Sequence, residues 1–227
     1  MNRRSLRGRK IRDLAVRTLS ALAACVGIFA LGWILWVVIQ RGAAAINWEM
    51  FVKSVTPPGV AGGGVGNALL GLVMLVGVAV LFGVPVGILA GVYLAEFGRH
   101  TRLGAMVRFS ANVMMGIPSI IVGLFVFALI VAPMQHYSGW AGAVALAILM
   151  VPVVSRTTED MLALVPNSLW ESALALGAPR WKATVQVVFR AAKAGLLTGV
   201  LLAVARVSGE TAPLLFTSLN SPYWPQS

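Results

Sequence analysis

Five apolar runs dominate the chain, at residues 18–39, 67–94, 109–132, 140–154 and 194–207, with short polar segments between them. A helix needs roughly 20 apolar residues to cross the hydrocarbon of a bilayer, and several of these runs approach or exceed that length. The second run, 28 residues with Gly71, Gly77, Gly83, Pro85 and Gly87 inside it, is longer than a perpendicular crossing requires, which predicts tilt or an extension beyond the hydrocarbon. The third contains Pro118, and the fifth continues through SGETAPLLFTSL to the aromatic, polar tail SPYWPQS. The pattern predicts an all-α polytopic membrane protein with five visible spans. Tyr223 and Trp224 read as the start of an unfinished external loop, so a sixth span is expected to be missing.

The segments between the runs have their own character. The basic start, MNRRSLRGRKIRDLAVRTLS, resembles the leading region of a signal peptide. The run after it is too long for one and ends in no clear cleavage pattern, which predicts a retained first span. The loop after that span carries Pro57, Pro58 and the glycine cluster GGGVGNA, and predicts a short interfacial helix near Trp48 to Val52. The cluster lacks the lysine of a phosphate-cradling loop and reads as flexible. From Ser155 to Lys193 the chain is too charged to span and too periodic to be plain loop. Met161, Leu164, Val165, Leu169, Ala173 and Leu176 recur at roughly helical spacing, and Pro166 and Pro179 mark starts of short helices.

Composition strengthens the membrane reading. The chain has 227 residues, 59% hydrophobic and 11% charged, with mean hydropathy +0.87, whereas a soluble chain carries about 25% charged residues. Net charge is +11, which in a soluble protein would suggest nucleic acid. Here the basic residues fall between apolar runs. Arg3, Arg4, Arg7, Arg9, Lys10, Arg12 and Arg17 precede the first run. Arg99, Arg102 and Arg108 follow the second, and Arg156, Arg180, Lys182, Arg190 and Lys193 follow the fourth. Only Arg41 and Lys53 fall on the other side. This bias predicts a cytoplasmic N-terminus and no nucleic-acid partner. The single cysteine, Cys25, allows no intrachain disulfide and reads as a packing residue. His100 and His136 lie in opposite loops and cannot jointly hold a metal.

No catalytic constellation is present, and no GxxxxGKS/T motif that would bind ATP. Two polar places remain. ESALALGAPRW, residues 171–181, reads as helix, glycine turn and helix. Its small residues Ala173, Ala175, Gly177 and Ala178 suit close approach to a partner, with Glu171 at the rim. An amphipathic helix on the membrane surface fits the same residues equally. ARVSGETAP, residues 205–213, puts Arg206 about 18 Å along the fifth run at helical rise, where a charge is costly and faces protein or water. Glu210, four residues on, shares its helical face and can pair with it. Ser208 and Thr211 add hydroxyls, and Gly209 and Pro213 loosen or end the helix. Arg206 offers a donor fork to an oxyanion. A structural ion pair between spans is the competing reading. Glu159 and Asp160, beside Arg156, read either as partners for nearby bases or as a solvated flank.

The two motifs carry a resemblance. ESALALGAPRW resembles the cytoplasmic coupling motif of binding-protein-dependent ABC importers, E-A-A then three residues then glycine; Glu171, Ala173 and Gly177 match and Ser172 replaces an alanine. PVGILAGVYLAEF, GIPSIIVGLFVF, the long stretch from His136 through VPVVSRTTEDMLALVPNSLWESALALGAPRWKATV, and LLAVARVSGETAPLLFTSLNSPYW resemble the PstA-type phosphate permeases. The resemblance implies the type I ABC importer permease fold: a basic cytoplasmic N-terminus at 1–17, a first transmembrane helix at 18–39, an extracytoplasmic loop at 40–65 and a core at 66–227 with coupling helices at about 159–185. It also implies an ATP-driven importer of inorganic phosphate in the bacterial cytoplasmic membrane. Arg206, Glu210, Ser208 and Thr211 would line the pathway, and Glu171, Ala173, Gly177 and Ala178 would contact the ATPase. The implied partners are a sister permease, two copies of the ATPase and an extracytoplasmic phosphate-binding protein. No cofactor would sit on this subunit, with ATP and Mg held by the ATPase. A permease for sulfate or molybdate is the near alternative; an ion-coupled secondary transporter or a membrane scaffold is more remote.

Overall fold

The computed structural model describes residues 3–224 other than 58 and 61, with side chains from residue 8 onward. Pro58, the last three residues of the tail and the side chains of Arg3, Arg4 and Arg7 therefore lie outside the described residues. The chain divides into two compact units, Met1–Gly66 and Asn67–Ser227. Every described element is helical.

The first unit is a long helix and a compact loop. Helix α1 spans Arg3–Gly42 and is followed by a 3-10 turn, Ala43–Ala45. It begins well before the apolar run because Arg, Leu and Lys are good helix formers. An exposed Asp13–Arg17 pair, 2.9 Å apart and four residues apart in sequence, supports it there. Its apolar side chains, Leu22, Phe29, Trp33 and Leu35 among them, are exposed. Cys25 is exposed too, so it does not pack within its own unit. Helix α2, Trp48–Val52, forms where the sequence predicts it. Asn47 caps it by accepting the Met50 N–H at 2.8 Å. The glycine cluster is held rather than loose. Gly64 N–H bonds Ser54 O, Val65 N–H bonds Met50 O and Gly66 N–H bonds Lys53 O. A Cβ on Gly64 would lie 2.6 Å from the carbonyls of Lys53 and Met50, so the close return of the chain requires glycine there.

The second unit is built around one central helix. Its elements are α3 (Gly66–Val92, beginning at the unit boundary), a π-helical turn at Tyr93–Phe97, α4 (Arg102–Gly116) and α5 (Ser119–Val126). A second π turn, Phe127–Val131, and a last turn α6 (Ala132–Met134) lead to the central α7 (Gly139–Ala163). Then come α8 (Asn167–Ala175), α9 (Arg180–Ala183), a third π turn at Thr184–Val188, α10 (Phe189–Ser208) and α11 (Ala212–Thr217).

Packing on α7 follows a small-residue logic. On α3, Gly83, Gly87 and Gly91 repeat every fourth residue and meet Met150, Val154 and Thr158, which repeat every fourth residue on α7. A Cβ on Gly87 would lie 2.7 Å from that of Val154. On the other side Gly195 and Gly199 of α10 receive Met161 and Thr157 of α7, and Ala203 and Val207 join Ala79, Leu146, Met150 and Val154 in one buried cluster. Large apolar side chains point outward instead: Val73, Leu81, Leu89, Leu197, Leu201 and Leu202 are all exposed. Small residues within and large ones without is the packing of helices in lipid, where burying hydrocarbon gains little and close backbone approach gains dispersion.

Among the described residues, four helical stretches are long and apolar enough to cross a membrane: Gly8–Ala45, Gly66–Phe97, Gly139–Ala163 and Arg180–Ser208. A fifth crossing exists if the α4 and α5–α6 pair counts as one. The third apolar run is not straight. It bends by 103° at residues 117–118, because Pro118 disfavours helical backbone at Ile117, which is extended there (φ −75°, ψ 131°). The fourth run also departs from its sequence bounds, since α7 carries on through Arg156, Glu159 and Asp160 to Ala163.

Candidate functional site

The periodic segment after α7 forms a capped helical hairpin. Pro166 and Pro179 occupy the N-cap positions of α8 and α9. Between them Gly177 adopts φ +81°. Its N–H bonds Leu174 O at 2.9 Å, and the Ala178 N–H bonds Ala173 O at 3.1 Å. These are the two bonds of a Schellman termination, and its left-handed residue is glycine for steric reasons. The Arg180 guanidinium carbon lies 5.7 Å from the Trp170 ring centroid, within cation–π range.

This geometry sorts the residues of the motif. Glu171 and Gly177 are exposed, Ala178 is half-buried and Ala173 is buried. Ala173 thus lets α8 lie close to its own chain rather than presenting a small surface outward. Leu176 is 89% exposed and Trp181 65%, flanked by Glu171, Arg180 and Lys182. Such an apolar surface rimmed by charge has the composition of a protein interface. Among the described residues Glu171 makes no ion pair.

The second polar place is a helix break. Helix α10 ends at Ser208, with Gly209 N–H bonding Arg206 O and Glu210 N–H bonding Val207 O, both at 3.1 Å. The short α11 begins after Thr211, whose side chain makes no capping bond. Ser208 Oγ donates to Val204 O at 2.8 Å. Arg206, in the last turn of α10, is exposed, Glu210 and Ser208 are half-buried, and Thr211 is exposed. The expected pairing of Arg206 with Glu210 does not form: no such ion pair exists among the described residues. Four-residue spacing means one face only on a continuous helix, and the helix stops between them. The guanidinium is left at the negative end of the α10 dipole, a favourable place for a cation. Beyond the break α11 packs closely on α5, where Gly123 meets the Pro213 backbone, and Ser138 N–H bonds Thr217 O at 3.0 Å.

A third cluster escaped the sequence reading in part. Glu159, 8% exposed, accepts Arg108 Nε at 2.5 Å and Arg156 Nη1 at 2.8 Å. Glu159 is therefore not a solvated flank. Asp160 lies 3.7 Å from Arg156. The Arg156–Glu159 spacing was visible in the sequence, but Arg108 is 51 residues away and carried no local signal.

A family model described as binding-protein-dependent transport system inner membrane component matches residues 83–225. The phosphate transport system permease protein PstA of Pasteurella multocida is 49% identical over 215 residues, covering 95% of this chain and 76% of that protein. The chain belongs to the PstA family of binding-protein-dependent transport permeases. The PstA proteins of Yersinia pestis (47% identical; 95% of this chain, 73% of that one) and Mycobacterium leprae (40%; 91% and 69%) are similarly close. Among solved structures, two crystal forms of the inward-facing MetNI methionine ABC transporter align with TM-scores of 0.57 and 0.52. They are 22% and 23% identical, and cover 68% and 64% of this chain and 73% and 68% of theirs. That likeness fixes the fold of this PstA-family chain as the type I ABC importer permease fold. It is a multi-pass membrane protein and a permease component of an ABC transport system.

Proposed function

We propose that the chain is a membrane-spanning subunit of an ATP-driven importer of inorganic phosphate, working by alternating access with the energy supplied by a separate ATPase. The observation that carries this is 49% identity, spread over 95% of the chain, to a phosphate transport permease. The exposed, charge-rimmed hairpin around Gly177 supports it as the surface an ATPase grips. Sulfate and molybdate are not favoured as substrates.

The complex is read as this subunit, a sister permease, two ATPase copies that hold ATP and Mg, and an extracytoplasmic protein that delivers phosphate. The subunit itself performs no bond chemistry. It sits in the bacterial cytoplasmic membrane with its N-terminus inside, as the basic residues favour. Glu171, Ala173, Gly177 and Ala178 belong to the ATPase-coupling segment. Glu171 and Gly177 supply its exposed surface, Ala173 seats it against its own chain, and Ala178 closes its turn. Arg206 contributes to the pathway, with Glu210, Ser208 and Thr211 around it. The missing intrachain ion pair supports that role, because an uncommitted guanidinium can bind an oxyanion through its donor fork. ATP-driven closure of the ATPases moves the hairpin and opens the spans outward; hydrolysis resets them.

The test is uptake by the complete complex in proteoliposomes, with labelled phosphate, sulfate and molybdate compared side by side. ATP-dependent uptake of phosphate well above the other two is expected. Equal or greater uptake of sulfate or molybdate, or uptake without ATP, would refute the proposal.

A further inference from the structure

The π-helical turn at Tyr93–Phe97 is gripped from two sides. On one side is charge. Arg108 of α4 donates Nη2 to Leu94 O at 3.0 Å, Nη1 to Gly98 O at 3.3 Å and Nε to Glu159 of α7 at 2.5 Å. Its side chain is 23% exposed and that of Glu159 11%. One guanidinium thus ties the carbonyl end of α3 and its π turn to the cytoplasmic end of α7. Arg156, which bonds the other oxygen of Glu159, holds that carboxylate from α7 itself, and Asp160 sits on the far side of Arg156. Close approach is built in. Gly104 near the start of α4 rests on the Gly98 backbone, and Gly91 rests on Ser155 and Thr158.

On the other side is an apolar contact with the coupling segment. Ala95, inside the same π turn, is buried with Leu162 of α7 and Val188 and Ala192 at the start of the last long span. Trp170 of α8 and Val165 of the α7–α8 connection pack on that cluster. Arg99 Nε also bonds Ala95 O at 2.8 Å. Glu159 is four residues before Ala163, the end of α7, and Pro166 opens α8 soon after.

We infer that Arg108 and Glu159 are positioning residues for transport: they lock the Tyr93–Phe97 turn to α7, so that movement of α8, whose Trp170 packs on the Ala95 cluster, is passed into the spans. This rests on the reading of α8 as the ATPase-coupling helix. The physical grounds are three. A buried ion pair is a poor source of net stability compared with an apolar replacement, so specific geometry is its best-attested use. A π turn carries an extra residue and weaker hydrogen bonding, which is why such turns gather at functional places. Finally, the fork of Arg108 reaches three acceptors, one in the π turn, one just after it and one on α7, which a lysine's single ammonium cannot reproduce.

The test uses the complete four-component complex in proteoliposomes and reads two rates, phosphate uptake and ATP hydrolysis stimulated by the binding protein. Arg108→Lys is expected to assemble and to hydrolyse ATP at close to the parent rate. Phosphate moved per ATP should fall about tenfold, within the range of coupling free energies. Glu159→Gln, which keeps shape and hydrogen-bonding capacity, should show the same split. If uptake and hydrolysis fall in proportion, or neither changes, the inference is overturned. Failure of both variants to assemble overturns it as well, leaving a purely structural cluster. The parent complex separates this from the underlying reading: its own failure to take up phosphate sinks the transport assignment, whatever the variants do.

Discussion

Gly177→Ala isolates a backbone effect from a steric one. Gly177 sits at φ +81° with open space where a Cβ would stand, since no heavy atom lies within 4 Å of that position. An alanine there meets no clash; it meets only the left-handed penalty of an L-residue, about 1–2 kcal/mol. Both bonds of the termination, Gly177 N–H to Leu174 O and Ala178 N–H to Ala173 O, depend on that conformation. The penalty converts to a factor of roughly 5–30 in the population of the capped hairpin. If the ATPase grips only the capped form, the apparent affinity of the permease for it falls by up to that factor. The assay is titration of purified ATPase onto permease pairs in detergent or nanodiscs, with hydrogen exchange at residues 173–178 measured on the same samples. Gly177→Asn is the control, because asparagine tolerates the left-handed region better and should lose less. The reasoning fails if alanine binds the ATPase as tightly as glycine does, or if asparagine is no better than alanine.

Arg206→Ala should abolish phosphate uptake while leaving complex assembly intact; uptake at the parent rate by an assembled variant would remove Arg206 from the pathway. Gly87→Leu should lower the thermal midpoint and yield of the permease by overpacking against Val154, at a cost of about 1–3 kcal/mol. Gly77→Leu, where nothing lies within 4 Å, should be tolerated, and equal effects at both positions would contradict the α3–α7 packing. Asn67 is 3% exposed and donates Nδ2 to Ser221 O at 3.0 Å and Tyr223 O at 3.4 Å. Asn67→Ala should lose about 1–3 kcal/mol of local order. Hydrogen exchange should then quicken over residues 219–224 without loss of ATPase association, and unchanged exchange there would count against the clamp.

The all-helical membrane architecture was legible in the chain because the bilayer imposes it. Runs of about 20 apolar residues admit few solutions other than helices that satisfy their own backbone. The short helix at Trp48–Val52, the proline starts of α8 and α9 and the glycine turn at Gly177 were legible for local reasons, since caps and left-handed turns are chosen by neighbouring residues. The two polar motifs proposed for coupling and for the pathway stood out as residue strings, through resemblance.

What the chain could not state was where helices stop and what faces what across long separations. The spacing of Arg206 and Glu210 implied one face, but the break at Gly209 took them apart. The glycine cluster before α3 implied freedom, but its carbonyl contacts hold it. Pro118 was visible within the third run, whereas the 103° angle of the bend beside it was not. Sequence by itself determined that this chain enters the membrane repeatedly, and where its two polar motifs fall, because hydropathy and turn chemistry act over a few residues. Only the tertiary structure decided that Ala173 turns inward, that Gly83, Gly87 and Gly91 seat α3 on α7, and that Arg108 reaches Glu159. Those are contacts between residues tens of positions apart, selected by the fit of helix surfaces that no local pattern encodes.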